Sequence, residues 1–192
     1  MRKVLPKPKH TIGKPLLSTV DLALVSVFCA LWVVLNITLG PLSFRLLGLP
    51  ILHDFAVFFT LLLVTWVTGK FGAASLVGII GSIIALPLLQ GNPPVMIGFA
   101  VSAVLFDVLM LANGHKFRMK VYSVTVAALA TMASAYFAGV IIGVFFVPNG
   151  TLEWALTVWG AWHLVGGIIS VALTLPLIGI LEKANVRRIK IA

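Results

Sequence analysis

Few residues in this chain can do chemistry, and most of those that can are gathered in a few places. The stretch "EWALTVWGAWHLVGG" carries an acid (Glu153), three indoles (Trp154, Trp159, Trp162) and one imidazole (His163) inside an otherwise apolar run. Trp159, His163 and Gly166 follow i, i+4, i+7 spacing, so they share one face of a helix. His163 lies ten residues past Glu153, roughly 15 Å along the axis at the helical rise. Elsewhere the polar groups Asn36, Arg45, His53, Asp54, Gln90, Asn92 and Asn149 sit at or near the ends of apolar runs. Aromatic faces stack on flat rings. Carboxylates accept from amino groups, and a guanidinium grips a carboxylate or phosphate. Together these types predict a pocket for a small ligand with aromatic walls and a few polar anchors.

The elements that must position these groups are membrane helices. The 192 residues are 60% hydrophobic and only 10% charged, with mean hydropathy +1.14. Soluble domains are about 25% charged, and a core of this size could not hide so much apolar surface. A helix needs about 20 apolar residues to cross the hydrocarbon. Six runs qualify or nearly so: 18–38, 53–68, 72–90, 94–112, 121–146 and 153–182. The segments "GPLSFRLLGLP", "GKFG", "QGNPP", "NGHKFRMK" and "VPNG" read as the links between them. The expected fold is all-α, a polytopic six-helix domain over 18–182, with basic tails at 1–17 and 183–192. The basic N-terminus precedes a first run read as a retained helix, since no small-residue cleavage site leads into a soluble chain.

Of the 14 Lys and Arg, only Arg45 falls on the far side of a six-helix threading. The rest lie in the N-terminal tail, at Lys70, at Lys116, Arg118 and Lys120, and in the C-terminal tail. The excess of Lys and Arg marks the cytoplasmic face, so both termini are expected there, in a multi-pass protein of the cell membrane. The net charge of +9 is then a matter of topology and anionic lipid, and no nucleic-acid partner is expected. Asn36, Arg45, His53, Asp54, Gln90, Asn92, Asn149 and Glu153 all converge on the outer side. Asp21 and Glu182 fall near the cytoplasmic interface, where solvation accounts for them. Asp107 lies deeper in the fourth helix. It is expected to pair with a basic residue of the following link or to meet a partner, and a structural role is favoured over ligand binding.

Each feature also has a plainer reading. Trp154 suits an interfacial aromatic belt, which explains the deeper Trp159 and Trp162 less well. A membrane histidine often bonds a neighbouring helix. Small residues four apart on the third helix (Ala74, Gly78, Ser82), the fifth (Ala127, Thr131, Ala135, Gly139, Gly143) and the sixth (Gly166, Ser170, Thr174) let helices approach inside a bundle. Ser26 and Ala30 on the first helix are the candidate stripe for docking another membrane protein. Gly166 is expected to leave room beside the ring of His163. Cys29, the one cysteine, reads as a small buried hydrophobe.

No GxxxxGK[ST] phosphate loop, GxSxG or HExxH is present, and the four histidines are too scattered for one metal site, so no metal and no cofactor are expected. An integral membrane enzyme or a regulatory subunit acting on lipid would need a nucleophile–base or acid pair at one depth. Asp107 and His163 are the only candidates, and their depths differ. A solitary carrier or channel working without ATPases remains open.

"GPLSFRLLGLP" and "GKFGAASLVGIIGSIIALPLLQGNPP" carry a resemblance. Together with the size and topology of nearly the whole chain, they resemble the S components of energy-coupling-factor (ECF) vitamin transporters. The second stretch is similar to the "GAA…GNP" region of thiamine or hydroxymethylpyrimidine S components. The resemblance implies a non-enzymatic subunit that binds a vitamin or precursor from outside. It then docks a transmembrane T component with two cytoplasmic ATPases, and topples to release cargo inward. Thiamine or its pyrimidine precursor is the implied cargo. The family docks through small residues on the first helix, typically AxxxA, where this chain has Ser26-xxx-Ala30. The family's ligand site, on the outer half, coincides with the polar cluster: Asn36, Arg45, Asp54, Gln90, Asn92, Glu153, Trp159, Trp162 and His163 are the candidate binding residues.

Overall fold

A computed structural model describes residues 16–88, 95–115, 117–184 and 186. The described residues are helical throughout, with turns between. The helices are α1 (Thr19–Leu47), α2 (Ile51–Thr68), α3 (Ala73–Ala85), α4 (Val95–Leu109, tightened into a 3-10 turn over Met110–Asn113), α5 (Val121–Phe145) and α6 (Leu152–Lys183). Five of them, all but α3, are long and apolar enough to cross a membrane. Gln90 and Asn92 lie outside the described residues, as do both tails and the end of the expected third span.

α1 departs from its expected end. The sequence "GPLSFRLL" reads as a link, yet the helix runs through Pro41 to Leu47, where Gly48 closes it in the left-handed conformation (φ 67°). A proline deletes one backbone donor and crowds the preceding turn. Apolar flanks on both sides and a glycine to absorb the reversal let the helix continue. Ser43 then ties the corner: its hydroxyl donates to the Leu49 carbonyl (2.6 Å) and accepts from the Leu52 amide (2.9 Å). α6 also contains a proline, Pro176, without breaking.

The helices close into a ring in the order α1, α2, α6, α5, α4, α3, and α3 returns to α1. α2 also touches α3 and α5, and is the most enclosed member. Of its apolar span, 61% is buried against 28% for α1. The core holds Trp32, Phe58, Leu61, Leu62, Phe99, Phe106 and Ile142. The outside is apolar too, with Val27, Leu46, Ile83, Leu129 and Phe145 exposed. Where both faces of a helix are apolar, burial alone does not choose a packing face, and small residues do. The stripes on α3, α5 and α6 are all buried. Gly78 of α3 abuts Ala103 of α4, and Gly167 of α6 abuts Ala135 of α5. Ser26 and Ala30 are exposed on α1.

One end of the bundle is locked by polar ties. Asp107 of α4 accepts from the backbone amides of Gly72 (2.8 Å) and Ser75 (3.1 Å) and from the Ser75 hydroxyl (2.7 Å). It thereby caps the N-terminus of short α3 from another helix, where a negative charge meets the positive end of the helix dipole. Its second oxygen bonds His115 Nε2 (2.9 Å). Asp107 thus pairs within the α4–α5 link, with His115 rather than with a lysine or arginine. Solvation does not account for Asp21. Asp21 is 3% exposed, caps α1 through Ser18 and pairs with Lys70. Glu182 accepts from the Trp66 indole (3.0 Å) and ties α6 to α2. Asp107→Ala, which strips the cap from two part-buried amides and leaves His115 only the backbone carbonyl of residue 107, should cost about 3 kcal/mol. Reversible unfolding in mixed micelles should register a larger loss for it than for Asp21→Ala, whose Lys70 partner reaches solvent.

Candidate functional site

The opposite end of the bundle is hollow. A cavity of about 430 Å3 lies between the end of α1 (Gly40, Pro41, Phe44), the start of α2 (Pro50, His53), the start of α4 (Val95, Met96, Phe99), the end of α5 (Ile142, Val147, Pro148) and the start of α6 (Trp159, His163). Pockets of roughly 300–1,000 Å3 suit small-molecule ligands. The walls are rings. Phe99 stands between the imidazoles of His53 (centroids 4.6 Å) and His163 (5.8 Å). Trp159 meets His163 edge-on at 5.6 Å, and Trp154 stacks behind Trp159 at 5.2 Å.

α6 enters this site through a distortion. After a first turn at Leu152–Trp154, residues Ala155–Trp159 form a π-turn before the regular helix resumes at Gly160. Thr151 caps the start by accepting from the Trp154 amide (3.1 Å). The widened turn leaves the Leu156 carbonyl free to accept from the Tyr136 hydroxyl of α5 (3.0 Å). Such single π-turns recur at functional sites because they re-aim side chains within a helix.

The floor is a buried acid–imidazole pair. His163 Nδ1 is 2.8 Å from Asp54 Oδ1, and the two residues are 1% and 0% exposed. Two glycines make the contact possible. A Cβ on Gly166 would stand 2.5 Å from the Asp54 Cβ, and one on Gly139 would stand 2.7 Å from the His163 ring. Gly166 therefore makes room for Asp54 rather than for the imidazole, and Gly139 of α5 does that service for His163. Three cavity-lining residues carry a buried ring nitrogen with no partner, His163 Nε2, His53 Nε2 and Trp159 Nε1, and Asp54 Oδ2 is likewise unpartnered at the pair beneath. An orphaned buried donor or acceptor costs about 1–3 kcal/mol, so a cluster of them around a void is a place where a polar ligand gains.

Only part of the expected binding set comes together here. Trp159 and His163 line the cavity, and Asp54 supports it from α2. Trp162 does not belong to it. Consecutive helix positions differ by about 100°, so the residue beside His163 must point elsewhere, and Trp162 is 38% exposed. Arg45 is exposed on the last turn of α1, because that helix extends where a link was expected. Glu153 is exposed in the first turn of α6, the favourable place for an acid at a helix N-terminus. Asn36 is buried in α1 and donates to its own helix at Trp32 (2.7 Å), away from the cavity wall. Trp154 stacks on Trp159. His53, Phe99 and Met96 are among the lining residues absent from the expected set. His53 carried a signal, as an imidazole at the start of an apolar helix. Phe99 and Met96 carried none, since nothing separates them from core residues before the helices are packed.

Asp54 and His163 are an acid–base pair at one depth, which spacing along the chain did not pair. No hydroxyl or thiol among the described residues bonds His163 Nε2. No group of three or more His, Cys, Asp and Glu is placed to hold a metal among the described residues. The site as built can stack a flat ring and exchange hydrogen bonds with its edge. Comparison with family models, with curated proteins and with solved structures finds no match to this chain.

Gly166→Ala and Gly139→Ala should each separate Asp54 from His163 and cost about 1–3 kcal/mol through overpacking. Gly48→Ala is a control for the loss of a glycine remote from this pair: no atom lies within 4 Å of its added Cβ, and its φ of 67° makes the cost one of backbone strain. Thermal unfolding, together with the NMR signal of the His163 ring, distinguishes the two kinds of loss.

Proposed function

We propose that the chain is the substrate-binding membrane subunit of an ECF-type vitamin transporter, with thiamine or its pyrimidine precursor as the leading cargo. The observation that carries this reading is the ring-walled cavity at one end of the bundle, edged by the unpartnered nitrogens of His53, His163 and Trp159. Lys70, Arg118 and Lys183 belong to the other end, beyond α2, beyond α4 and at the close of α6. By the excess of Lys and Arg that end is cytoplasmic, and the cavity then opens outward, as capture of an external nutrient requires. Cargo lies against the ring of Phe99 and bonds the two imidazoles and the indole N–H of Trp159. The exposed Ser26 and Ala30 of α1 form the docking face for a T component, which couples the subunit to two ATPases. Toppling of the bundle then delivers cargo inward.

The buried Asp54–His163 pair favours a second reading, a solitary carrier driven by protons, because ionisable pairs inside spans mark proton paths. Dependence of uptake on co-expressed T component and ATPases separates the two.

Native mass spectrometry of gently purified protein is the direct test, and a released molecule of vitamin mass is the expected result. Trp159→Ala and His163→Ala should weaken binding of that molecule by about 10- to 30-fold, the loss of a buried anchor worth roughly 2 kcal/mol. Trp162→Ala should leave it within about twofold, since truncations away from the contact are near neutral. A protein that is empty and binds nothing in a vitamin panel would overturn the proposal.

A further inference from the structure

The cavity has a chemical polarity that its shape alone does not give. His163 lines it, and one of its ring nitrogens is spent on Asp54. A neutral imidazole carries one N–H, and the nitrogen bearing it is set by the bond the other makes. As a carboxylate Asp54 only accepts, and its Oδ1, 2.8 Å away, then places the proton on Nδ1. Nε2 is then a lone pair, buried and unpartnered, on a residue that lines the cavity. Close by, Trp159 offers the opposite function, since an indole nitrogen only donates, and its Nε1 is unpartnered as well.

We infer that Asp54 is a positioning residue for ligand selection: through its bond to Nδ1 it locks His163 in the tautomer whose Nε2 accepts, so the site takes flat heterocycles that present an N–H donor beside a ring acceptor. This rests on the reading of the cavity as a cargo site. Asp54 itself is not among the residues that line the cavity; its effect is transmitted through the imidazole. The Gly166 notch fits this role, because it lets the carboxylate sit against α6 within reach of Nδ1 and no closer to the ligand. The donor of the ligand meets His163 Nε2, its ring nitrogen meets Trp159 Nε1, and its face lies against Phe99.

Two measurements on the full-length wild-type protein test this, and the second stands whether or not a variant folds. The first is the 15N spectrum of the histidine rings, with His163 assigned by loss of its signal in His163→Phe. A protonated Nδ1 and a bare Nε2 are expected. A proton on Nε2, alone or together with Nδ1, overturns the inference. The second is the affinity ratio for 4-aminoquinazoline over 4-methylquinazoline, which differ by a donor replaced with a methyl of similar size. The amino compound should bind about tenfold or more tightly, because the methyl leaves a buried acceptor unpaired. A ratio near one overturns the inference. In Asp54→Leu, similar in shape but unable to accept, the ring proton is no longer fixed. The ratio should fall several-fold toward one while 4-methylquinazoline binds as before. A merely structural role for Asp54 would weaken both compounds equally, and that result also overturns the inference. A co-purified cargo together with a ratio near one removes the selection mechanism and leaves the transporter reading standing. An empty protein that binds neither probe removes both.

Discussion

The contact between Asp54 and His163 is the constraint around which the cavity end is built. It joins α2, the most enclosed helix, to α6, and it does so where neither side chain reaches solvent. An ionisable pair is tolerated at such a place only with close geometry, and close geometry requires missing side chains on the facing helices. Gly166 and Gly139 supply that absence on α6 and α5. The small-residue stripes therefore do two things at once. They let apolar helices choose a packing face where burial gives no preference. They also bring a carboxylate and an imidazole within hydrogen-bond distance.

The two ends of the bundle are constructed on opposite terms. At one end every acid is engaged. Asp107 caps α3 and holds His115, Asp21 holds Lys70, and Glu182 holds Trp66. These ties cross between helices and act there as a polar clamp. At the other end His53 Nε2, His163 Nε2 and Trp159 Nε1 have no partner among the described residues. Unpaired groups in a low-dielectric setting are costly, and they persist when something outside the fold pairs them. A clamp beneath and a hollow above is the division of labour expected of a rigid scaffold that binds at one end. It is also why the π-turn of α6 falls where it does, at the rim of the hollow, with Tyr136 satisfying the carbonyl it frees.

The sequence by itself determined the class of fold and much of its punctuation. Apolar runs of spanning length, separated by Gly, Pro and charged segments, leave little besides a helical bundle, and α2 and α5 begin and end within two residues of the runs that predict them. It also singled out Trp159, His163 and Asp54, because a polar or indole side chain inside an apolar helix is conspicuous in one dimension. What it could not decide is direction and partnership. A Gly-Pro pair looks the same in a link and in a helix that tolerates it, so α1 was cut short and Arg45 was placed in a loop. Trp162 and Trp159 look alike in the sequence, and only the helical rotation beside His163 turns one into the cavity and the other out. Phe99 and Met96 are ordinary core residues until α4 is set against α2 and α6. Asp54 and His163 lie 109 residues apart, and spacing along a chain says nothing about groups brought together by the packing of two helices. Types and periods are local properties, fixed by the chain. The cavity, its orphaned nitrogens and the pair beneath it are relations between helices, and those exist only once the bundle has closed.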